Sequence, residues 1–107
     1  MIRDPTYYAA KQLDVYPKVV ELNEPKCTLA AVSDRVSGKL LILALIDEFG
    51  VVNEVSVVEA EPEGYMEGVT LDSFRAARFS PAQRQGRNVN SRAPIRVVFD
   101  CTEKTIP

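Results

Sequence analysis

The chain contains no histidine in its 107 residues. Histidine is the commonest general base near neutral pH and the commonest side-chain metal ligand, so both chemistries lack their usual carrier. Ser73, Ser80 and Ser91 have no imidazole to activate them. No glycine pattern of the phosphate-cradling kind occurs. No apolar run approaches the roughly 18 residues that would cross a membrane. The opening stretch MIRDPTYYAA holds no apolar segment of signal-peptide length. Two readings stay open there: a cytoplasmic protein, or a piece of a longer secreted or anchored chain. The formal net charge of −2 supplies no basic field for a phosphate backbone, so nucleic acid is not an expected partner.

What is present suits one small globular domain. The length leaves little room for two domains, and an apolar fraction of 46% is enough for a modest core. The expected limits are an N-terminal extension over residues 1–14, a folded domain over residues 15–101 and a tail over residues 102–107.

The extension has no regular period, although Tyr7 and Tyr8 are suited to pack on the domain. Residues 15–22 read as an extended edge segment, with Pro17 suiting an edge because it donates nothing to a ladder. Residues 23–27 and 33–38 are polar breaks. KLLILALID then alternates on two faces, Leu40, Ile42, Ala44 and Ile46 on one and Leu41, Leu43 and Leu45 on the other. Both faces are apolar. Such a strand is covered on both sides, or covered on one side and paired with a partner molecule on the other; a buried helix is the competing reading. The turn Asp47–Gly50, with Gly50 free to take positive φ, and the valine-rich stretch after it favour a β-hairpin.

After a break at Glu61–Gly64, Met66, Val69 or Thr70, Phe74 and Ala77 recur at helical spacing. Pro81 is expected to stop that helix, so that RFSPAQRQG serves as its exit, with Phe79 anchoring the helix end and Gly86 turning the chain back. Residues 83–92 read as a polar loop. Ile95, Val97 and Phe99 alternate with Arg96, Val98 and Asp100 as a half-buried final strand. The expected class is α+β: a two-layer fold in which one main helix covers one face of a small antiparallel sheet, in the order β-β-α-β behind an N-terminal edge segment.

Charge is unevenly placed. No basic residue lies between Lys39 and Arg75, a span holding Asp47, Glu48, Glu54, Glu59, Glu61, Glu63, Glu67 and Asp72. From Arg75 to Arg96 the sign reverses, with Arg78, Arg84, Arg87 and Arg92 between them and no acid. Two readings fit: a solvated surface whose opposite signs compensate across the fold, or a bipolar surface that orients a partner. Glu59, Glu61 and Glu63 alternate near a strand end, but prolines and glycines in that run place it at the surface. Neither an acid–base pair nor a metal site is expected from it. Cys27 and Cys101 form no CxxC motif. They are either two separate thiols or a disulfide that closes a long loop, the latter if the edge segment pairs beside the last strand.

One resemblance emerges from the order of these parts. GKLLILALIDEFGVVNEVSVVEAEPEG followed by LDSFRAARFSPAQRQGRNVNSRAPIRVVF resembles the C-terminal domain of the TonB-type energy transducers. The shared features are Gly38 before a long strand, Asp47 and Gly50 in the hairpin loop, and Pro62 and Gly64 behind a valine-rich strand. They continue with the RFSPA exit, a loop glycine and a final strand ending in Phe99. LDVYPKVVEL resembles the lead-in of one subset of that family. The resemblance covers Gly38 to Phe99.

It implies a non-catalytic periplasmic domain without cofactor or metal. Family members grip an extended segment of an outer-membrane transporter by edge-strand addition. They couple it, through an inner-membrane anchor and a linker, to a proton-driven motor complex that powers uptake of iron complexes or other scarce nutrients. On that basis Arg92, Ile95, Arg96, Val97, Val98, Phe99 and Asp100 are the expected partner-binding strand. Pro94 marks its start, and Arg92 and Arg96 suit acidic groups on the partner. Arg84 and Arg87 are either a further contact loop or a soluble surface. The chain shows neither anchor nor linker, so an excised domain or an unusual member is expected. A homodimer through the exposed edge is a further expectation. The other functional reading is a stand-alone periplasmic adaptor or envelope-assembly protein that binds proteins without transducing energy.

Overall fold

The longest apolar run forms the middle of the molecule. In the computed structural model, which describes residues 6–103, Ser37–Ile46 is a strand, β2. Residues 1–5 of the expected extension and 104–107 of the expected tail lie outside the described residues. Leu40, Ile42, Ala44 and Ile46 point into the core and are at most 2% exposed, while Leu41, Leu43 and Leu45 stay half-buried on the other face. The run is therefore a strand and not the competing helix, with one face in the core and the other half-buried.

A turn joins β2 to β3, Val52–Glu61. The Asp47 carboxylate accepts the N–H groups of Phe49 and Val51 at 2.9 and 3.0 Å. Gly50 takes φ +84°, and a Cβ there would run into the Phe79 carbonyl. Gly38 is needed for a different reason: a Cβ would strike the Glu61 carbonyl and Pro62, where the end of β3 crosses closely. The last long strand, which we label after the intervening elements as β7, is Ser91–Asp100. It pairs antiparallel along the other side of β2, giving the order β3-β2-β7.

Two helices cap this sheet. A five-residue helix, α1 (Leu29–Ser33), was not foreseen in the sequence; Thr28 Oγ1 accepts the Ala31 N–H at 3.1 Å and donates to the Tyr65 carbonyl at 3.0 Å. The main helix, α2, spans Glu67–Arg75 and packs on β3. Its Thr70 and Phe74, with Met66 before it and Ala77 after it, are buried as the helical spacing required. Phe74 belongs to the same core cluster as Ile42, Ala44 and Val55, and burial of a side chain of that size contributes about 2–3 kcal/mol.

The helix does not run on to Pro81. It ends at Arg75, and Arg78–Ser80 forms a strand, β4, antiparallel to β1 (Lys18–Glu21). Phe79 lies off the helical stripe of Met66, Thr70, Phe74 and Ala77, and it serves a strand instead. The strand prevails because the Phe79 N–H donates to the Gly50 carbonyl at 3.0 Å while its ring stays 8% exposed in the core. Phe79 therefore anchors a strand rather than a helix end. The expected loop over residues 83–92 is also more ordered than its polarity suggested. Ala82–Arg84 (β5) and Arg87–Val89 (β6) form a small hairpin. Gln85 and Gly86 both take positive φ, +54° and +77°, as a two-residue turn of the primed type requires.

Cys27 and Cys101 are bridged, with Cα atoms 6.0 Å apart across a sequence separation of 74. The route is not the one anticipated. The edge segment lies beside β4, and it is the irregular stretch after it that brings Cys27 to the end of β7. Cys101 is fully buried with Ala31, Leu40, Met66 and Phe99. Closing a loop of this length stabilises the fold by roughly 4 kcal/mol in the chain-entropy picture.

Candidate functional site

β7 has a neighbour on one side only. Its residues alternate strictly against β2, from Ser37 opposite Asp100 to Ile46 opposite Ser91, with no bulge. The direction of each backbone group follows from one contact at the start of the strand. The Arg92 N–H donates outward to the Tyr8 carbonyl at 3.0 Å, and the Tyr8 N–H donates to the Asn90 carbonyl at 3.0 Å. In an antiparallel ladder this parity persists, so Pro94, Arg96 and Val98 also turn their backbone groups outward. Among the described residues, nothing pairs with those of Arg96 and Val98.

Pro94 needs separate mention, because it does not mark the strand start. The strand begins at Ser91, and Pro94 sits within it opposite Leu43. A mid-strand proline is tolerated here because its missing N–H belongs to the outward set, so no bond to β2 is lost.

The expected site residues divide by this parity. Arg92, Arg96, Val98 and Asp100 are exposed, with Val98 at 75%. Ile95 and Val97 are half-buried and Phe99 is buried; all three belong to or pack on the core clusters, and their backbone groups face β2. The open length, Pro94 to Val98, spans about 17 Å at strand rise. Tyr8 closes one end. At the other, Cys27 Sγ lies 4.0 Å from the Asp100 carbonyl, so the disulfide segment abuts the strand.

Arg84 and Arg87 face each other across the small hairpin. The Arg84 guanidinium stacks over the Tyr8 ring, 4.8 Å from its centroid, and so steadies the segment that bounds the edge. Arg87 is exposed. Tyr8 was not singled out from the sequence as an edge residue. Its partners lie at the far end of the chain, and no periodicity marks a single bridging residue.

The acidic run offers no contrary chemistry. Glu59 and Glu61 lie exposed on β3 and Glu63 lies in the turn after it. Among the described residues no group of three or more Cys, Asp or Glu side chains is placed to hold a metal ion. Glu67 is held below its ordinary 4.5 mainly by the Gly64 N–H, which donates to it at 2.8 Å, while Met66 N–H donates at 3.1 Å. Glu67 thus satisfies the turn in front of α2, a structural role.

The fold matches the solution NMR structure of Pseudomonas aeruginosa TonB CTD with a TM-score of 0.68, covering 92% of this chain and 97% of that one at 20% identity. No curated protein matches the chain by sequence. The family model described as the Gram-negative bacterial TonB protein C-terminal matches residues 23–101, from the stretch before α1 to the bridged Cys101. That match over most of the chain shows the family: the chain belongs to the TonB C-terminal family, a family of non-catalytic, periplasmic binding domains of energy transducers.

Proposed function

We propose that the domain captures an extended segment of an outer-membrane transporter by adding it as a strand along β7. The observation that carries this reading is the pair of unpartnered outward backbone sets at Arg96 and Val98, on a regular strand already bounded at both ends. Strand addition draws its affinity from such groups and its preference from side chains beside them. Arg92 and Arg96 flank the edge and suit acidic residues on the segment; Arg87 is a further contact beyond it. The domain then serves as the terminal grip through which an inner-membrane anchor and its proton-driven motor complex work on the transporter to drive nutrient uptake. The disulfide agrees with an oxidising compartment such as the periplasm.

The test is a backbone-amide NMR titration of the labelled domain with short peptides from the periplasmic N-termini of outer-membrane transporters. Saturable shifts centred on the Arg96 and Val98 amides are expected. Shifts confined to the α2 face would defeat the edge model. No shifts at millimolar peptide would favour a stand-alone adaptor that uses another surface.

A further inference from the structure

The sheet face turned away from α2 has an ordered pattern of its own. Leu41, Leu43 and Leu45 run down its centre on β2. The ladder registers place Arg96 and Glu59 on either side of Leu41, Pro94 and Ser56 on either side of Leu43, and Arg92 and Glu54 on either side of Leu45. Each charged rung therefore reads arginine, leucine, glutamate. The arginine and glutamate of a rung are two strand spacings apart, roughly 9–10 Å, beyond direct pairing within the chain. Among the described residues Arg92, Arg96, Glu54 and Glu59 enter no ion pair. Only Lys39, one rung further along, meets its neighbour, with Nζ 3.9 Å from Glu61 Oε2.

We propose that this face docks on the same face of a second copy, related by a twofold axis that runs along β2. The charges select the axis. Rotation about an axis along the strands exchanges the two flanks and leaves each rung at its own level. Arg96 then lies over Glu59 of the second copy, Arg92 over Glu54 of the second copy, and the leucine columns meet at the centre. Rotation about an axis across the strands would set arginine over arginine and glutamate over glutamate. Aligned sheets cross at about 30°, so the axis lies about 15° from β2, a tilt that shifts the flanking rungs by less than one residue. Such a contact is isologous and closes at two copies.

The size sets its strength. Three strands and the residues from Lys39 to Leu45 present roughly 400 Å² per copy, or about 800 Å² in all, below the ~1,200 Å² typical of stable complexes. The Leu45 end is bounded by Tyr7, whose hydroxyl accepts a hydrogen bond from Asn53 Nδ2 at 2.9 Å. The dimer is therefore weak, concentration-dependent and salt-sensitive. It engages side chains on the face and leaves the outward backbone groups of Arg96 and Val98 unused, so it does not rest on the peptide-capture reading.

Sedimentation velocity and amide NMR from micromolar to millimolar protein test this. The expected result is a dimer at millimolar concentration in low salt, with shifts at Leu41, Leu43, Arg96 and Glu59. Half-molar salt weakens it. Glu59→Arg and Arg96→Glu should each reduce self-association by at least about tenfold, and E59R with R96E in one chain should restore it. A monomer throughout would overturn the proposal. So would a dimer indifferent to both single reversals, or one that the double reversal fails to restore.

Discussion

The central sheet has two edges, and they are built differently. β7 follows β2 without interruption. β3 slips register twice, between Leu41 and Ile42 and between Leu45 and Ile46, and the extra residues lie near Val58 and Asn53. β3 also carries Glu54, Glu59 and Glu61 on the open face, and α2 packs on its other face. Bulges and charges are the usual means of making an edge unattractive to another strand. The comparison teaches that an edge can be kept flat and regular only where its ends are controlled. β7 has both controls: the Tyr8 bridge at its start and the disulfide at its finish.

The largest expected effect comes from removing the second control. Replacing Cys27 and Cys101 together by alanine should lower unfolding free energy by about 3–4 kcal/mol in urea titrations. The loosened end should appear as faster amide exchange at Phe99 and Asp100 than at Ser91. Uniform exchange along β7 would mean that the bridge does not govern the edge.

Gly38→Ala should perturb the opposite edge. Its Cβ collides with backbone at Glu61 and with Pro62, so about 1–3 kcal/mol of stability is expected to be lost as the end of β3 moves away. The β2–β7 ladder should keep its register in cross-strand NOE measurements. A register change in β7 would show that the two edges are not independent.

Val98→Pro sharpens the comparison at the level of one hydrogen bond. It deletes an outward N–H and spares the bonds to β2, so stability should change by less than about 1 kcal/mol. Peptide affinity should fall by about tenfold, a loss of one well-placed bond and its steric cost. Equal affinity for the variant in a titration would remove the edge from the binding model.

The smallest effect is a pH dependence at the exit from β3. Glu67 has a folded pKa below its ordinary 4.5 because the Gly64 N–H binds its charged form. A lowered folded pKa means that the unfolded chain holds the proton more tightly. The contribution is therefore complete above about pH 4.5 and is lost as pH falls through the folded value. Glu67→Gln should flatten that part of the stability profile by a few tenths of a kcal/mol at most, since the group is largely exposed. Differential scanning fluorimetry between pH 3 and pH 6, wild type against variant, checks it.

The hairpin was legible because two local signals coincide behind the apolar run of β2, Gly50 at the turn and the valine-rich stretch after it. The core stripe of α2 was legible too. Its end was not, because Pro81 was the strongest local stop signal, whereas the chain leaves the helix earlier through long-range contacts of Phe79 with Gly50 and β1. α1 has one turn and one capping threonine, too little for a pattern. The β5–β6 hairpin hid in polar residues, since its strands bury little and its turn depends on Gln85 adopting a conformation that glutamine seldom takes. The status of β7 as an edge is a matter of topology. Alternation showed a half-buried strand; only the family resemblance suggested which side lay open.

Pro94 gives that open side a further property. A strand sliding along a uniform edge in two-residue steps meets the same ladder at every stop, so many alignments are nearly equal in energy. One missing donor makes the stops unequal. A segment whose carbonyl falls opposite Pro94 forfeits a bond, while one that ends beside it loses nothing. Under the proposed strand addition the proline would act as a graduation on a ruler, and an extended segment would be measured by where it starts before any of its side chains are read.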